Sequence, residues 1–347
     1  MLRRIILIIA IGIPGLFIIF LLISTALDYS PPAEKIIHST ENPVFMQDSG
    51  TIDFLIWNIG YCGLGDEMDF FYDGGQNVRS EKHSVIENLS SIESFLKQND
   101  TIDFILLQEV DKNSKRSYGI NQLDSIASLF PGWNNYYGKN YDVWFVPVPP
   151  KNPMGRVNSG LMTLTPHKPV SVERHSFPGN FSWPKNLFFL DRCFLVSRFN
   201  LKGKNEMVII NTHNSAYDDG SLRQEQMAFL KKFLLDEYNK GNYIIVGGDW
   251  NQSPADFIPN YKYVFDDKNH LELPKNYLPR GWKFVYDEDI PTNRRVKTPF
   301  DPESTPTTII DFFLISPNVE KVHVNTVNLH FDYSDHQPVV LTVKLKA

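Results

Sequence analysis

Cysteine is almost missing from this chain. Cys62 and Cys193 are the only two in 347 residues, and no Cys-x-x-Cys or Cys/His cluster occurs. That excludes a disulfide scaffold and a thiolate zinc site, although the two could pair in an oxidising compartment. Positive charge is not in excess either: 34 Lys and Arg face 40 Asp and Glu, for a formal net charge of -6. Tight, sequence-indifferent binding of nucleic acid needs a basic face, so that class is disfavoured, while a local basic groove stays open. No Gly-x-Ser-x-Gly is present, which removes a serine esterase built on a nucleophile elbow. There is no internal repeat and no low-complexity tract, so solenoid and fibrous classes drop out.

One long apolar run is present. Met1-Leu2-Arg3-Arg4 precedes Ile5 to Leu27, which holds no charged residue, and Asp28 follows. About 20 apolar residues span the hydrocarbon core as a helix. Arginines before the run favour an N-inside orientation. A cleaved signal peptide has a shorter apolar core; Ser24-Thr25-Ala26 offers a small-residue cleavage site as the alternative. The expectation is therefore a membrane anchor over 1–27, a polar, proline-bearing linker over 28–50 and one domain over 51–347. Either reading places the domain outside the cytoplasm, at the cell surface or in the periplasm.

Within that domain, apolar β-type runs alternate with a few helical patterns. Strands are expected over 52–58, 104–109, 143–146, 159–164, 170–175, 187–199, 207–210, 243–247, 309–316, 322–329 and 338–345. Apolar spacing predicts helices over 80–99 and 120–130. Ser221-Leu222-Arg223-Gln224 has the form of a capping box, opening a helix to about Tyr238. An irregular insert fills 253–308. The pattern suggests an α+β domain of two packed mixed β-sheets flanked by helices.

Several runs end in acid or amide side chains: Trp57-Asn58, Leu107-Gln108-Glu109, Gly248-Asp249-Trp250-Asn251. Ile309-Ile310-Asp311 opens a run, and Ser334-Asp335-His336-Gln337 precedes the last. Strand ends that converge on one edge pool such groups into a pocket. An anionic phosphate ester repels nucleophiles and has a poor leaving oxygen. Its hydrolysis calls for a cation on the phosphate, an activated water and a positioned acid or base. Glu109 is a hard-oxygen metal ligand with Asn58 as a neutral oxygen donor, and oxygen ligation suits magnesium or manganese. His336 reads as general base or phosphate contact, with Asp311 holding its tautomer. Asp249 orients the attacking water and Asn251 donates to a phosphate oxygen.

These motifs, with Asn211-Thr212-His213, Leu107-Gln108-Glu109-Val110, Ile310-Asp311-Phe312 and the closing Pro338, resemble those of the endonuclease/exonuclease/phosphatase superfamily, in its order, over residues 52–345. That superfamily includes deoxyribonuclease I, abasic-site endonucleases, neutral sphingomyelinases and inositol-phosphate 5-phosphatases. The resemblance implies a four-layered α/β sandwich and a divalent-metal phosphodiesterase or phosphatase. Glu109 would be the main ligand, with Asn58 and Asp335 close to the metal, and Asp249 and Asn251 would hold water and phosphate. Asp311 would orient His336, His213 would stand near the scissile phosphate, and Arg192 would offer a phosphate contact.

The loop Gly60 to Gly75 is not nuclease-like and resembles a membrane-anchored bacterial branch, and the insert with Thr292-Asn293-Arg294-Arg295 is also unlike the nucleases. The anchor, the acidic balance and the aromatic loop favour a lipid headgroup or small phosphoester as substrate. An extracytoplasmic nuclease, with nucleic acid as partner, and an inactive binding module are the alternatives. Phe70-Phe71-Tyr72 and Trp183-Pro184 fit either core packing or a rim for a lipid or sugar. Arg294 and Arg295 fit either a solvated loop or a second phosphate contact.

Overall fold

The computed structural model describes residues 2–46, 50–216, 218, 220–258, 260–261 and 271–346, with side chains from residue 11 onward. Parts of the expected anchor, linker and insert thus lie outside the described residues.

Two mixed sheets form the body. One has six strands in the order Val319–Thr326, Val339–Leu345, Ile52–Asn58, Phe104–Asp111, Gly155–Thr165, Asn134–Val146. The other has eight, its main path running Glu34–Ser39, Ser171–Ser176, Cys193–Leu201, Met207–His213, Tyr243–Asp249, Asp311–Ile315, Lys283–Val285; Phe45–Met46 pairs beside Cys193–Leu201. Successive side chains of a strand point to opposite faces, and here both faces are covered. Phe54 and Ile56 meet Phe104, Ile209, Ile245 and Phe313 between the sheets. Leu55 and Trp57 face outward onto Val85, Leu89, Ile92 and Leu96 of the helix Lys82–Gln98. On the far side, Val208, Ile210, Ile244 and Val246 pack on Met227, Leu230 and Leu234 of the helix Ser221–Asn239. The layers are helix, sheet, sheet, helix, so the expected sandwich is found.

Several boundaries differ from expectation. Within 28–50, Glu34–Ser39 is an edge strand paired antiparallel with Ser171–Ser176, so this stretch is not all linker. The strand expected over 187–199 begins only at Cys193; Lys185–Phe188 is a 3-10 turn. Asn134–Val146 is much longer than the expected 143–146. The insert contributes Lys283–Val285 to the sheet edge. The capping box does not form: Gly220, with φ 97°, precedes the helix, and the Asp218 carboxylate accepts from the backbone N–H groups of Gly220 and Arg223 at 3.0 and 3.1 Å. Cys62 and Cys193 are both free and buried, so no disulfide links them.

Leu2–Ala26 is one helix. Among the described residues no helix is long and apolar enough to cross a membrane. The described side chains begin at Ile11, so the anchor reading rests on the sequence run Ile5 to Leu27.

Candidate active site

The strands that end in polar residues end on one edge. Asn58 pairs with Gln108, Asp249 with His213 on one side and Asp311 on the other. Behind that edge, Gln108 Nε2 donates to Asn211 Oδ1 at 2.8 Å, while Asn211 Nδ2 donates to the carbonyls of Leu107 and Met162. These buried amides tie the two sheets together just beneath the pocket. Gly248, with φ 146°, lies so close to the neighbouring strand that a Cβ would sit 2.1 Å from the Thr212 carbonyl oxygen. Only glycine fits there, and this close approach sets Asp249 beside His213.

Asp249 is the hub. Its Oδ2 accepts from Asn58 Nδ2 at 2.9 Å and lies 3.4 Å from His213 Nε2 and 3.8 Å from His336 Nε2. Its Oδ1 accepts from the Asn251 backbone N–H at 2.9 Å. His336 Nδ1 is 2.8 Å from Asp311 Oδ2, the partner expected for it. Thr292 Oγ1 accepts from the Asp311 backbone N–H, and Ser334 Oγ from that of His336. All of Asp249, Asp311, His213, His336 and Asp335 are buried.

The two histidines are driven apart. Burial pushes the pKa of His336 down, but the carboxylates of Asp311, Asp335 and Asp249 outweigh it and hold the ring protonated well above the usual histidine range. His213 goes the other way: burial, with Arg192, His336 and Arg116 nearby, holds it well below that range as a neutral imidazole. One cationic and one neutral imidazole thus stand beside the same Asp249 oxygen, which fits them for different roles.

Glu109 sits at a β-bulge, where pairing with Gly155–Thr165 shifts between Leu107 and Val110, and its φ is 54°. Asn251 has φ 51°. Such left-handed backbone at non-glycine residues costs of order 1–3 kcal/mol and clusters at functional sites. The bulge turns Glu109 toward the pocket, 4.0 Å from His213 Nε2.

The candidate metal ligands are Glu109 and Asp335. Burial lifts the Asp335 carboxyl to about 7, with His336 opposing and Glu109 adding to the rise, and a cation beside it would favour its charged form. Their hard oxygens fit magnesium or manganese. Asp249, Asp311 and His336 are also close enough to share an ion, but Asp311 Oδ2 and His336 Nδ1 are already bonded to each other. Asn58 departs from expectation. Its Oδ1 accepts from the Gly60 backbone N–H at 3.0 Å, which leaves Nδ2 facing Asp249, Glu109 at 3.5 Å and His336. It is therefore a donor that holds the carboxylates, not an oxygen turned to the metal. Asn251 also departs: its side-chain amide donates to the Asn214 carbonyl at 3.0 Å. Arg192 lines the same pocket, of about 420 Å³, with Glu109, Asp335, His336 and His213.

Some partners were not foreseen. Arg116 lies 3.7 Å over the Tyr61 ring, pairs with Asp111 at 2.9 Å and stands 3.6 Å from Glu109. Asn293 Nδ2 is 3.1 Å from His336 Nε2. Arg294 is not in a solvated loop: it is 1% exposed and donates to the carbonyls of Leu64, Gly65 and Met68, latching the 60–75 loop. Phe70 and Tyr72 line the pocket from a buried cluster, while Trp183 is exposed and bonded to Thr25.

The family model described as "Endonuclease/Exonuclease/phosphatase family" matches residues 56–336. Solved structures share the fold at low identity. An endonuclease/exonuclease/phosphatase from Beutenbergia cavernae DSM 12333 is 17% identical at a TM-score of 0.53, over 86% of this chain and 72% of that one. ANGEL2, a 2′,3′-cyclic phosphatase, is 16% identical at 0.55, over 86% and 97%. D. rerio TDP2, complexed with a single-strand DNA product, is 14% identical at 0.53, over 85% and 100%. No curated protein matches in sequence. The matched span takes in every polar strand end that meets at the pocket, and the chain belongs to the endonuclease/exonuclease/phosphatase family, whose members are mostly hydrolases of phosphoester bonds.

Proposed function

We propose that this chain is a divalent-metal-dependent phosphodiesterase or phosphatase, acting outside the cytoplasm on a lipid headgroup or small phosphoester. The observation that carries the reading is the Asp249 carboxylate held between Asn58, His213 and the Asp311–His336 pair, on the same wall as Glu109 and Asp335. When bound at Glu109 and Asp335, magnesium or manganese supplies positive charge to the phosphate oxygens. Asp249 orients a water and takes its proton as the oxygen attacks phosphorus. The ester P–O bond breaks and the leaving oxygen takes a proton from solvent. His336, cationic and aimed by Asp311, donates to a phosphate oxygen where negative charge grows. Neutral His213 and the Asn251 backbone N–H keep Asp249 in position, and Arg192 contacts the phosphate.

The N-terminal helix serves as an uncleaved anchor in this reading. The anchor rests on the uncharged sequence run Ile5 to Leu27, whose length matches the roughly 20 apolar residues that span a hydrocarbon core as a helix. Arg3 and Arg4 before it and Asp28 after it favour an outward-facing domain.

The test is hydrolysis by the purified full chain, with magnesium, manganese or chelator, of a generic phosphodiester, a phosphomonoester, sphingomyelin, an inositol phosphate and plasmid DNA. Turnover that chelator abolishes supports the reading. Preference for DNA with steep salt dependence would move it to the nuclease alternative. No turnover of any, with metal bound, would leave a binding module.

A further inference from the structure

We propose that the pocket draws its phosphoester from the bilayer that holds the N-terminal helix, so that the substrate is a phosphate ester carried on membrane-embedded chains; this rests on the hydrolase reading above. The last turns of the helix are docked on the domain, not hung from it. Leu21 and Ser24 are buried, while Phe17, Leu22 and Ile23 on other faces are exposed. The Phe20 ring stacks on Phe188 at 5.7 Å with only 3° between planes, and meets Trp144 at 5.6 Å. Trp144 Nε1 donates to Ser24 Oγ at 3.1 Å and Trp183 Nε1 to Thr25 Oγ1 at 3.2 Å. A tether would need none of these contacts.

What the helix docks on is a turn beside the pocket wall, at a residue that does not itself line the cavity. Phe188 ends the short turn Lys185–Phe188. The neighbouring Phe181, Lys185 and Phe189 line the cavity from the other side. Lys185 Nζ lies 3.5 Å from the centre of the Phe181 ring and 4.9 Å from that of Phe189. Tyr141, also lining the cavity, donates to the Phe188 carbonyl at 3.0 Å. One turn of chain separates helix from cavity.

The exposed remainder of the helix fixes where the membrane surface lies. Its described undocked faces are apolar throughout, from Ile11 through Phe17 to Ile23, and the sequence carries no charge from Ile5 to Leu27. A helix apolar on all sides is buried in a protein core or in lipid, and among the described residues no protein core covers these faces. Tryptophans gather at the level where a lipid-covered run ends. Trp183, 58% exposed, sits at that level, two residues from both Phe181 and Lys185. The cavity thus opens beside the bilayer surface, with a lysine for the phosphate and two phenylalanines for the chains next to it.

The test uses the full chain reconstituted in phosphatidylcholine vesicles with magnesium and two esters of one leaving group. One is soluble bis(p-nitrophenyl) phosphate; the other is a diacylglycerol p-nitrophenyl phosphodiester within the vesicle. The vesicle-borne ester is expected to show kcat/KM at least about tenfold higher, a modest share of the 10²–10⁴ that confinement to one surface gives. Phe188→Ala should lower turnover of the vesicle-borne ester and leave the soluble ester unchanged. In parallel, brominated phosphatidylcholine should quench tryptophan emission, and Trp183→Phe should remove part of that quenching. Cleavage of the soluble ester with no preference for the vesicle-borne one overturns the proposal, as does a Phe188→Ala loss equal for both, or emission untouched by bromolipid. Cleavage of neither ester would remove the hydrolase reading itself, and the inference with it.

Discussion

Asp311→Asn isolates the pair on which the chemistry turns. The Asp311 carboxylate is fully buried, its Oδ2 is 2.8 Å from His336 Nδ1, and its Oδ1 has no hydrogen-bond partner. The asparagine has two ways to fit. With its oxygen toward His336, the new NH₂ replaces Oδ1 where nothing accepts from it, at about 1–3 kcal/mol for an orphaned buried donor. Turned over, the NH₂ donates to Nδ1, and the ring must keep its single proton on Nε2. In both cases a charge-assisted bond worth about 1.5–3 kcal/mol is lost and the imidazolium with it. The nitrogen facing the phosphate then belongs to a neutral ring that no carboxylate aims. A positioned acid or base contributes about 10²–10⁴-fold, so kcat of Asp311→Asn should fall by about 10²-fold or more. Thermal unfolding should remain cooperative, because Thr292 Oγ1 still accepts from the residue 311 backbone N–H. The assay is steady-state hydrolysis of a generic phosphodiester at saturating magnesium, beside a calorimetric melt. Turnover within twofold of the parent would refute the idea that Asp311 acts through His336. A lost melt would show instead that Asp311 holds the fold.

Three further outcomes are expected. Glu109→Gln should abolish metal-dependent turnover and weaken magnesium binding by calorimetry while a cooperative melt persists; undiminished binding would remove Glu109 from the ligand set. Gly248→Ala should destabilise by about 1–3 kcal/mol or more, because its Cβ would meet the Thr212 carbonyl at 2.1 Å; a denaturation midpoint equal to the parent's would contradict that packing. Glu237 is lowered to about 2: burial raises it, but bonds from Arg198, Lys240 and Asn242 outweigh that. Its contribution is complete above the usual glutamate range and is lost as pH falls through it toward 2. Discounted for solvent screening, the 4.5-to-2 shift is worth about 2 kcal/mol. Glu237→Gln should therefore melt below the parent at neutral pH and converge with it in acid; a gap that stays constant with pH would exclude this linkage.

The sandwich was readable because its central strands are buried on both faces. Ile52–Asn58, Met207–His213 and Tyr243–Asp249 are apolar runs that stop at polar residues where the sheet ends. The edges were not readable. Glu34–Ser39 is mostly exposed and pairs through its backbone, so its side chains carry no alternation. Asn134–Val146 uses Tyr, Gly and Asn at inward positions, which hides its period of two. Leu187 to Leu190 misled in the opposite sense. Their apolar character serves a pocket wall and a docked helix, contacts that look like strand burial in a sequence window.

At the site, side chains held by strand ends were legible and those held by loops were not. His336 was expected to find Asp311 because Asp311 opens one apolar run and His336 stands just before another, so both lie at strand ends. Asn293 and Thr292 complete that pair from an insert with no periodicity of its own. Arg294 shows why: it satisfies itself on main-chain carbonyls of a loop some 230 residues away, and a carbonyl leaves no mark in the sequence. Asn58 was assigned the right place and the wrong atom. A strand-end amide can present oxygen or nitrogen, and the choice was made by the backbone N–H of Gly60, two residues on, which needed an acceptor. Glycine at 60 is what lets that turn close, since it has φ 50° and a Cβ there would stand 2.9 Å from Asp335 Oδ1. Thus the residue that decides how Asn58 faces the carboxylates carries no side chain at all, and Gly60→Ala should disturb Asn58 and Asp335 together.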